Sequence, residues 1–206
     1  MALVLAACAP AATTKDTVRL GMNQEIQFLN VMYTQGGNSL EASKTAQRGL
    51  LFSDLPGAWV GELALEVPSV GNGLVSADGS TVTYNLREGV TFHDGSDVTS
   101  ADVKATWEAI MNPDNTPITR TGYDKIGSID TPDDYTVVLN FDEPFPAFKI
   151  LFDFIFPSEV IEANSPGLDD SDAMRQPIGF GPYSIKKWRT GEYIEYEAFE
   201  DYWQGA

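Results

Sequence analysis

Residues 82–103 read VTYNLREGVTFHDGSDVTSADV and include His93, the only histidine of the chain. Val82, Tyr84 and Leu86 alternate with polar residues, which predicts a strand with one buried face. Two acidic-residue–glycine pairs follow within ten residues, and such pairs are typical of tight turns. The stretch therefore predicts a strand that ends in a sharp corner.

The end of the same stretch predicts the start of a helix. With Thr99 as the N-cap, Asp102 is the third helical residue and can accept a hydrogen bond from the Thr99 amide, which forms a capping box. Val98 and Val103 are spaced to form the hydrophobic staple that accompanies this motif. The apolar stripe continues to Met111, and the pair Asn112-Pro113 ends the helix.

Several further segments have predictable structure. Alternation predicts a first strand over 18–22, a strand over 136–141 and two final strands over 183–188 and 193–199, and residues 39–52 have helical spacing with Ser39 as N-cap. A turn is expected at 131–134, and 165–177 are expected to form an exposed loop. The aromatic run 145–156 is interrupted by prolines and predicts core packing, with a ligand-stacking surface as the alternative.

Charge limits the classes of partner. The 206 residues include 30 acidic and 13 basic side chains, a formal net charge of −17. Such a surface repels phosphate groups, so neither nucleic acid nor an anionic membrane surface is expected as an electrostatic partner. Hydrophobic residues make up 43% of the chain, which is enough for the buried core of a globular protein.

Catalytic motifs are mostly missing from the sequence. There is no Gly-x-Ser-x-Gly, no phosphate-binding loop and no dinucleotide fingerprint. His93 and Cys8 are too few ligands for a zinc site, so no metal or other cofactor is expected. We expect His93 to support the Asp94-Gly95 turn. A pair of catalytic carboxylates cannot be recognised from one acidic sequence, and that alternative stays open.

Cys8 follows a short apolar run, and Leu5-Ala6-Ala7-Cys8 resembles the lipobox of bacterial lipoproteins. In that motif the cysteine thiol carries the lipid. We therefore expect residues 1–16 to be a signal remnant and flexible tether, and the folded body to span residues 17–206. This predicts an extracytoplasmic protein that meets the membrane only through a lipid anchor. The alternative is an incidental cysteine near a frayed terminus.

Four segments together resemble a known family. Residues 82–103 are similar to the signature of family 5 extracellular solute-binding proteins, the peptide, dipeptide and nickel receptors of ABC importers. Three further segments agree in order with that family: residues 61–64 (GELA), 177–183 (PIGFGPY) and 201–205 (DYWQG). Two departures are a phenylalanine, Phe180, where the family usually has threonine, and a chain about half the family's length or less.

The resemblance implies a mixed α/β fold of the type II periplasmic-binding-protein kind. Residues 17–206 would form the first of two lobes, with a subdomain of about residues 46–176 inserted into a central sheet and with the second lobe absent. The implied function is binding of a small solute, an oligopeptide, for delivery to ABC permease subunits, without catalysis. The signature would be scaffold, and ligand contacts are implied at Asn23, Gln24 and Glu25, which otherwise read as an exposed turn.

Other functions stay open at this point. Within the family, the solute is a peptide, nickel or an oligosaccharide. Outside it, the chain is a secreted hydrolase that uses two carboxylates, or a surface lipoprotein that serves as an interaction module.

Overall fold

The computed structural model describes residues 18–205 except 27, 35, 56, 166–167, 169–170 and 172–175. These residues form α1 (Gly37–Ala46), β1 (Leu51–Leu55), β2 (Ala58–Gly61), β3 (Thr81–Asn85), α2 (Ser100–Met111), β4 (Ile126–Asp133), β5 (Thr136–Phe141), α3 (Ser158–Asn164), β6 (Tyr183–Arg189) and β7 (Tyr193–Ala198). Short 3-10 helices cover Val31–Tyr33, Tyr123–Lys125 and Phe148–Ile150. The mixture of helices and strands agrees with the predicted fold class.

The described strands form three separate antiparallel sheets, β1-β2, β3-β5-β4 and β6-β7. In the three-stranded sheet, Val82 lies opposite Leu139 and Tyr84 lies opposite Val137, and all four side chains are buried. The strands predicted over 82–86 and 136–141 are therefore confirmed with their buried faces, because alternation follows burial on one side of a sheet.

One strand of this sheet, β4, was not predicted from the sequence. β4 has two irregular steps in its pairing with β5, and only Ile126 and Ile129 along it are buried. Regular alternation is lost where a strand bulges, so no period of two was visible. The turn predicted at 131–134 lies slightly later in the chain. Residues 131–133 belong to β4, and the turn is formed by Asp134 and Tyr135.

The capping box predicted for α2 is confirmed. The Asp102 carboxylate accepts a hydrogen bond from the Thr99 amide at 2.7 Å and from the Thr99 hydroxyl at 3.1 Å. Its other oxygen accepts from the Ser158 amide at 2.7 Å, at the first residue of α3. Val98 and Val103 are both buried in the main core. One carboxylate therefore starts α2 and attaches α3 to it.

The predictions for the N-terminal region are partly wrong. Residues 18–22 do not form a strand, and Val18 and Leu20 are each 81% exposed. A strand needs a hydrogen-bonded neighbour, and no described strand pairs with this segment. The helix predicted over 39–52 begins two residues earlier, at Gly37, and ends earlier, at Ala46. It ends there because Leu50 is buried in the core and Leu51 begins β1.

A large core fills the space between the three-stranded sheet and helices α2 and α3. The aromatic run predicted as core contributes Phe148, Phe152, Phe154 and Phe156, all buried, with Phe145 packed against them. A second, small cluster joins α1 to the β6-β7 hairpin, whose two strands agree with the final strands predicted from alternation. Its members are Ile26, Leu29 and Ala42, with Ile185, Trp188 and Ile194 against them.

Three of the sequence segments that resemble the family meet in space. Tyr202 donates a hydrogen bond from its hydroxyl to the buried Glu62 carboxylate at 3.2 Å. Arg87 donates to the Glu62 carbonyl at 2.8 Å, and its guanidinium lies 4.1 Å from the centre of the Trp203 ring. These contacts join three parts of the chain, so the segments act as scaffold.

Candidate functional site

The segment that contains His93 is a structural clasp. The His93 Nε2 lies 2.9 Å from the Gly181 carbonyl oxygen, and the Gly179 amide donates to Nδ1 at 3.4 Å. A carbonyl only accepts, so Nε2 carries a proton. Nδ1 accepts the Gly179 amide and therefore carries none, so the ring is neutral. Burial lowers the pKa of His93, and the bond to Gly181 and the negative charge of Asp94 offset part of that effect.

The structural role predicted for His93 is therefore correct, but its partner is different. The Asp94-Gly95 turn is held by Asp94 itself, whose carboxylate accepts from the amide and hydroxyl of Ser96 at 3.0 and 2.7 Å. The histidine ring instead binds the Gly179–Gly181 segment. Phe180, the departure from the family pattern, is fully buried in this segment with its ring edge-to-face against Phe92.

Glycine is required at both ends of this clasp. A side-chain carbon at Gly179 would collide with the carbonyl oxygen of Ala46, the last residue of α1. One at Gly181 would lie 2.7 Å from the same oxygen, to which the Gly181 amide donates at 2.8 Å. The close approach of two backbones explains why the residues on either side of Phe180 lack side chains.

The three residues predicted to contact ligand are all exposed. Asn23 accepts a hydrogen bond from the Asn38 side chain at 3.0 Å, near the start of α1. Glu25 accepts from the Gly191 amide at 2.8 Å and so holds the turn between β6 and β7. Gln24 lies between them. The structure places the three residues on one loop, and two of them brace neighbouring elements.

A pocket of about 280 Å³ lies beside the N-terminal half of α1. Three segments and Ile110 of α2 form its walls: residues 31–34 with Leu40, residues 117–123 and residues 150–154. Its lining is Val31, Met32, Thr34, Leu40, Ile110, Pro117, Ile118, Thr119, Thr121, Tyr123, Ile150, Leu151, Asp153 and Phe154. Most of these are apolar, and Thr34, Thr119 and Thr121 are the small hydroxyl residues among them. Such a lining is typical of ligand pockets, though this one is at the small end of their size range.

Two anchors shape the pocket wall at 117–123. The Ile118 amide donates to the Met32 carbonyl at 2.9 Å, which ties this wall to the segment before α1. The Arg120 guanidinium donates to the carbonyls of Ile110, Asn112 and Asn115 at 2.8, 2.9 and 2.6 Å. The cation of Arg120 is therefore committed to the end of α2 and its adjoining loop.

Asp153 is the one carboxylate among the described residues that line the pocket. Its side chain is 40% exposed and lies 3.7 Å from the Lys44 ammonium on α1. Burial raises the pKa of Asp153, and the nearby Lys44 offsets part of that increase. The pocket thus joins apolar walls to a single acidic group.

The backbone next to Asp153 has an unusual conformation. Phe152 has φ of 56°, the left-handed region that a bulky residue rarely adopts, at a cost of about 1–3 kcal/mol. Its amide donates to the Tyr123 hydroxyl at 2.8 Å and its carbonyl accepts from the Leu50 amide at 2.8 Å. These bonds and the buried Phe152 ring hold the backbone next to Asp153, which is one of the residues that line the pocket.

This pocket was not predicted from the sequence. Its walls come from segments that are far apart in the sequence, so no local spacing joins them. A signal was present in residues 150–156, ILFDFIF, where Asp153 is the only charged residue of an aromatic and aliphatic run. A charged residue inside a buried run is unexpected unless it faces an opening or has a partner.

Among the described residues, no group of three or more His, Cys, Asp and Glu side chains is arranged to hold a metal ion. No described helix has the length and apolar character needed to cross a bilayer. Cys8 and the tether lie outside the described residues.

Comparison with known proteins agrees with the fold and the motifs. The family profile described as bacterial extracellular solute-binding proteins, family 5 Middle, matches residues 59–206. The chain belongs to this solute-binding family.

Relatives from three bacteria illustrate the family 5 match. The glutathione-binding protein GsiB of Salmonella paratyphi A is 34% identical over 131 residues, which are 63% of this chain and 25% of GsiB. NikZ from Campylobacter jejuni, solved in complex with Ni(L-His), has a TM-score of 0.77 at 28% identity over 87% of this chain and 35% of NikZ. The oligopeptide-binding protein AppA from Bacillus subtilis, solved with a nonapeptide, also has a TM-score of 0.77, at 25% identity over 91% of this chain and 36% of AppA.

The family 5 chain described here therefore spans between a quarter and about a third of the length of these relatives. The four family-like segments fall within or next to three sets of internal contacts. These are the His93 clasp, the capping box of α2 and the contacts of Glu62 with Arg87 and Tyr202. The pocket that contains Asp153 lies outside those motifs.

Proposed function

We propose that this chain forms the first lobe of an extracytoplasmic solute-binding protein that delivers peptides to an ABC importer and does not transform them. The main support is the match of its fold to AppA over 91% of the chain, because AppA was solved with a bound nonapeptide. GsiB adds support, since glutathione is a small peptide-like solute. In this proposal, residues 17–206 form one wall of a cleft and a second lobe supplies the other.

The proposed mechanism is binding between two lobes. A solute that contacts both walls favours the closed arrangement by its differential contacts, and the closed form is recognised by the permease subunits. The pocket beside α1 and the loop of Asn23, Gln24 and Glu25 are our candidates for the part of the wall that this lobe provides. Residues 46–176 are proposed as a subdomain inserted into the lobe.

The test uses this chain joined to a second lobe, either in a longer product of its own gene or fused to the corresponding part of AppA. Calorimetry with peptides of two to nine residues is expected to give micromolar dissociation constants, and mass spectrometry is expected to recover the peptides intact. Cleaved peptides would contradict the proposal and support the hydrolase hypothesis.

A metal complex is the second candidate solute. NikZ was solved with Ni(L-His) and has the same fold over 87% of this chain. Binding of nickel with histidine in the same calorimeter, without binding of any peptide, would favour this candidate and contradict ours.

We also propose that Cys8 carries a lipid that holds the protein at the outer face of the cytoplasmic membrane. The support is the lipobox-like run before Cys8. Cells that express the protein are expected to label it with radioactive palmitate, and the replacement Cys8→Ser is expected to abolish the label. Equal labelling of both proteins would contradict the anchor.

A further inference from the structure

The pocket beside α1 combines two features that match one kind of group. Its walls are mainly apolar, with Val31, Leu40 and Leu151 among them, and Asp153 is its one carboxylate among the described residues. Its volume of about 280 Å³ is smaller than the pockets that enclose whole drug-sized ligands. The space therefore suits one side chain of a solute rather than a complete peptide.

A basic side chain has the complementary shape and charge. Arginine and lysine carry an aliphatic stem that packs on apolar surface and a cationic end that stays close to water or to an opposite charge. In this pocket the stem would contact the apolar walls and the cation would meet the half-exposed Asp153. The formal net charge of −17 also favours approach of a cationic group over an anionic one.

Lys44 already shows the arrangement that such a ligand would use. Its ammonium lies 3.7 Å from the Asp153 carboxylate, and the two side chains are 48% and 40% exposed. An ion pair this open to water contributes at most about 1 kcal/mol. A ligand cation with its stem in the pocket can therefore displace Lys44. The stem gains contacts with the apolar walls, whereas Lys44 is not among the residues that line the pocket.

The cation of Arg120 is not available for this role. Arg120 lies in the pocket wall at 117–123, but its guanidinium is held by three backbone carbonyls at the end of α2. The left-handed backbone of Phe152, braced by Tyr123 and Leu50, keeps Asp153 at the pocket while the rings on both sides of it are buried. The backbone before the acidic group is thus held in place, and Lys44 is the cation that pairs with this group among the described residues.

We propose that the pocket beside α1 is a subsite for a basic side chain of the solute, with Asp153 as the residue that determines specificity and Lys44 as its displaceable internal partner. The assignment rests on the proposed solute-binding function and names the class of side chain that this site selects.

The experiment uses isotope-labelled 206-residue protein and three small probes at millimolar concentration, followed by NMR. N-acetyl-lysinamide and N-acetyl-norleucinamide share an alkyl stem, and only the first carries an ammonium group. We expect N-acetyl-lysinamide to shift the amides of Thr121 and Phe154 and to bind at least fivefold more tightly than the norleucine probe. Leucinamide, with its ammonium at the α-position, is expected to bind no better than the norleucine probe.

Two variants test the roles of the charges. Asp153→Asn is expected to abolish the preference for the lysine probe. Lys44→Gln is expected to tighten binding of that probe by up to about fivefold, because the ion pair that it removes contributes at most about 1 kcal/mol. Asp201→Asn removes an equal charge from an exposed position outside the pocket and is the matched control. The increase in Lys44→Gln is a result that a merely destabilised pocket does not give.

Equal binding of the lysine and norleucine probes, stronger binding of leucinamide, or unchanged binding in Asp153→Asn would each overturn the assignment. This outcome is separable from failure of the proposed function. Peptide binding by the two-lobed protein without preference for basic residues would leave that function intact and remove only the subsite.

Discussion

Single residues decide how distant segments of this protein are joined. His93 binds the Gly179–Gly181 segment through both ring nitrogens, and this arrangement requires the neutral ring. Gly179 and Gly181 allow that segment to lie against the carbonyl at the end of α1. The only histidine of the chain thus has a structural reason to be where it is.

The state of His93 predicts a pH dependence of stability. Its pKa in the folded protein is lowered, mainly by burial, so the unfolded chain takes up a proton first as pH falls. The stabilising contribution is complete above the unfolded pKa of about 6.5 and is lost as pH falls toward the folded pKa. Urea unfolding at pH 7.5 and pH 6.0 is expected to show a drop in the free energy of unfolding.

The variant His93→Gln is expected to make that drop smaller, because glutamine does not titrate. Its free energy of unfolding at pH 7.5 is expected to be lower by about 1–3 kcal/mol, the usual cost of disturbed buried hydrogen bonds. Glu88→Ala, at an exposed position of the same corner, is the control and should change stability by less than about 0.5 kcal/mol. A pH profile that is the same with and without the imidazole would refute the linkage.

Gly179 gives a second prediction at this scale. The replacement Gly179→Ala places a carbon against the Ala46 carbonyl, and we expect a loss of about 1–3 kcal/mol as the two backbones move apart. Gly37→Ala is the matched control, because a side chain there meets nothing within 4 Å and alanine favours helix. Thermal melting that places both variants at or above the parent would show that the close approach is absent.

At the scale of elements, Asp102 connects two helices. Its carboxylate accepts from Thr99 at the start of α2 and from Ser158 at the start of α3, and its side chain is buried. A local capping motif therefore also fixes a tertiary contact. This second role is invisible in the sequence, because Ser158 is far along the chain.

Removing that carboxylate tests both roles. Asp102→Ala is expected to lower the free energy of unfolding by about 3 kcal/mol, since it removes a helix cap and leaves the Ser158 amide without its acceptor. Asp102→Asn keeps one oxygen and is expected to lose roughly half as much. Denaturant titration checks this order, and an alanine variant as stable as the asparagine variant would contradict the double role.

At the scale of the whole molecule, the chain spans 25% to 36% of the relatives described above. In the proposed function, the pocket of about 280 Å³ belongs to one wall of a cleft and would contact a solute from one side only. We expect the 206-residue chain alone to bind no peptide with micromolar affinity, because closure over a ligand requires a second lobe. Calorimetry with a peptide library checks this, and a micromolar dissociation constant would show that one wall is sufficient.

The sequence by itself determined several local elements and the resemblance to the family. Alternation at 82–86 and 136–141 and the capping box at 99–102 depend on neighbours a few residues apart, and short-range physics decides them. Alternation failed in β4 because bulges break it, and at 18–22 because strand formation depends on a partner.

Only the tertiary structure decided the clasp, the helix junction and the pocket. His93 meets Gly179, Asp102 meets Ser158, and Asp153 meets Lys44, and each pair is brought together by packing of elements that are distant in the sequence. No spacing within one segment encodes such a meeting. The pocket in particular exists only in the folded chain, because its lining comes from three separate segments and from Ile110 of α2.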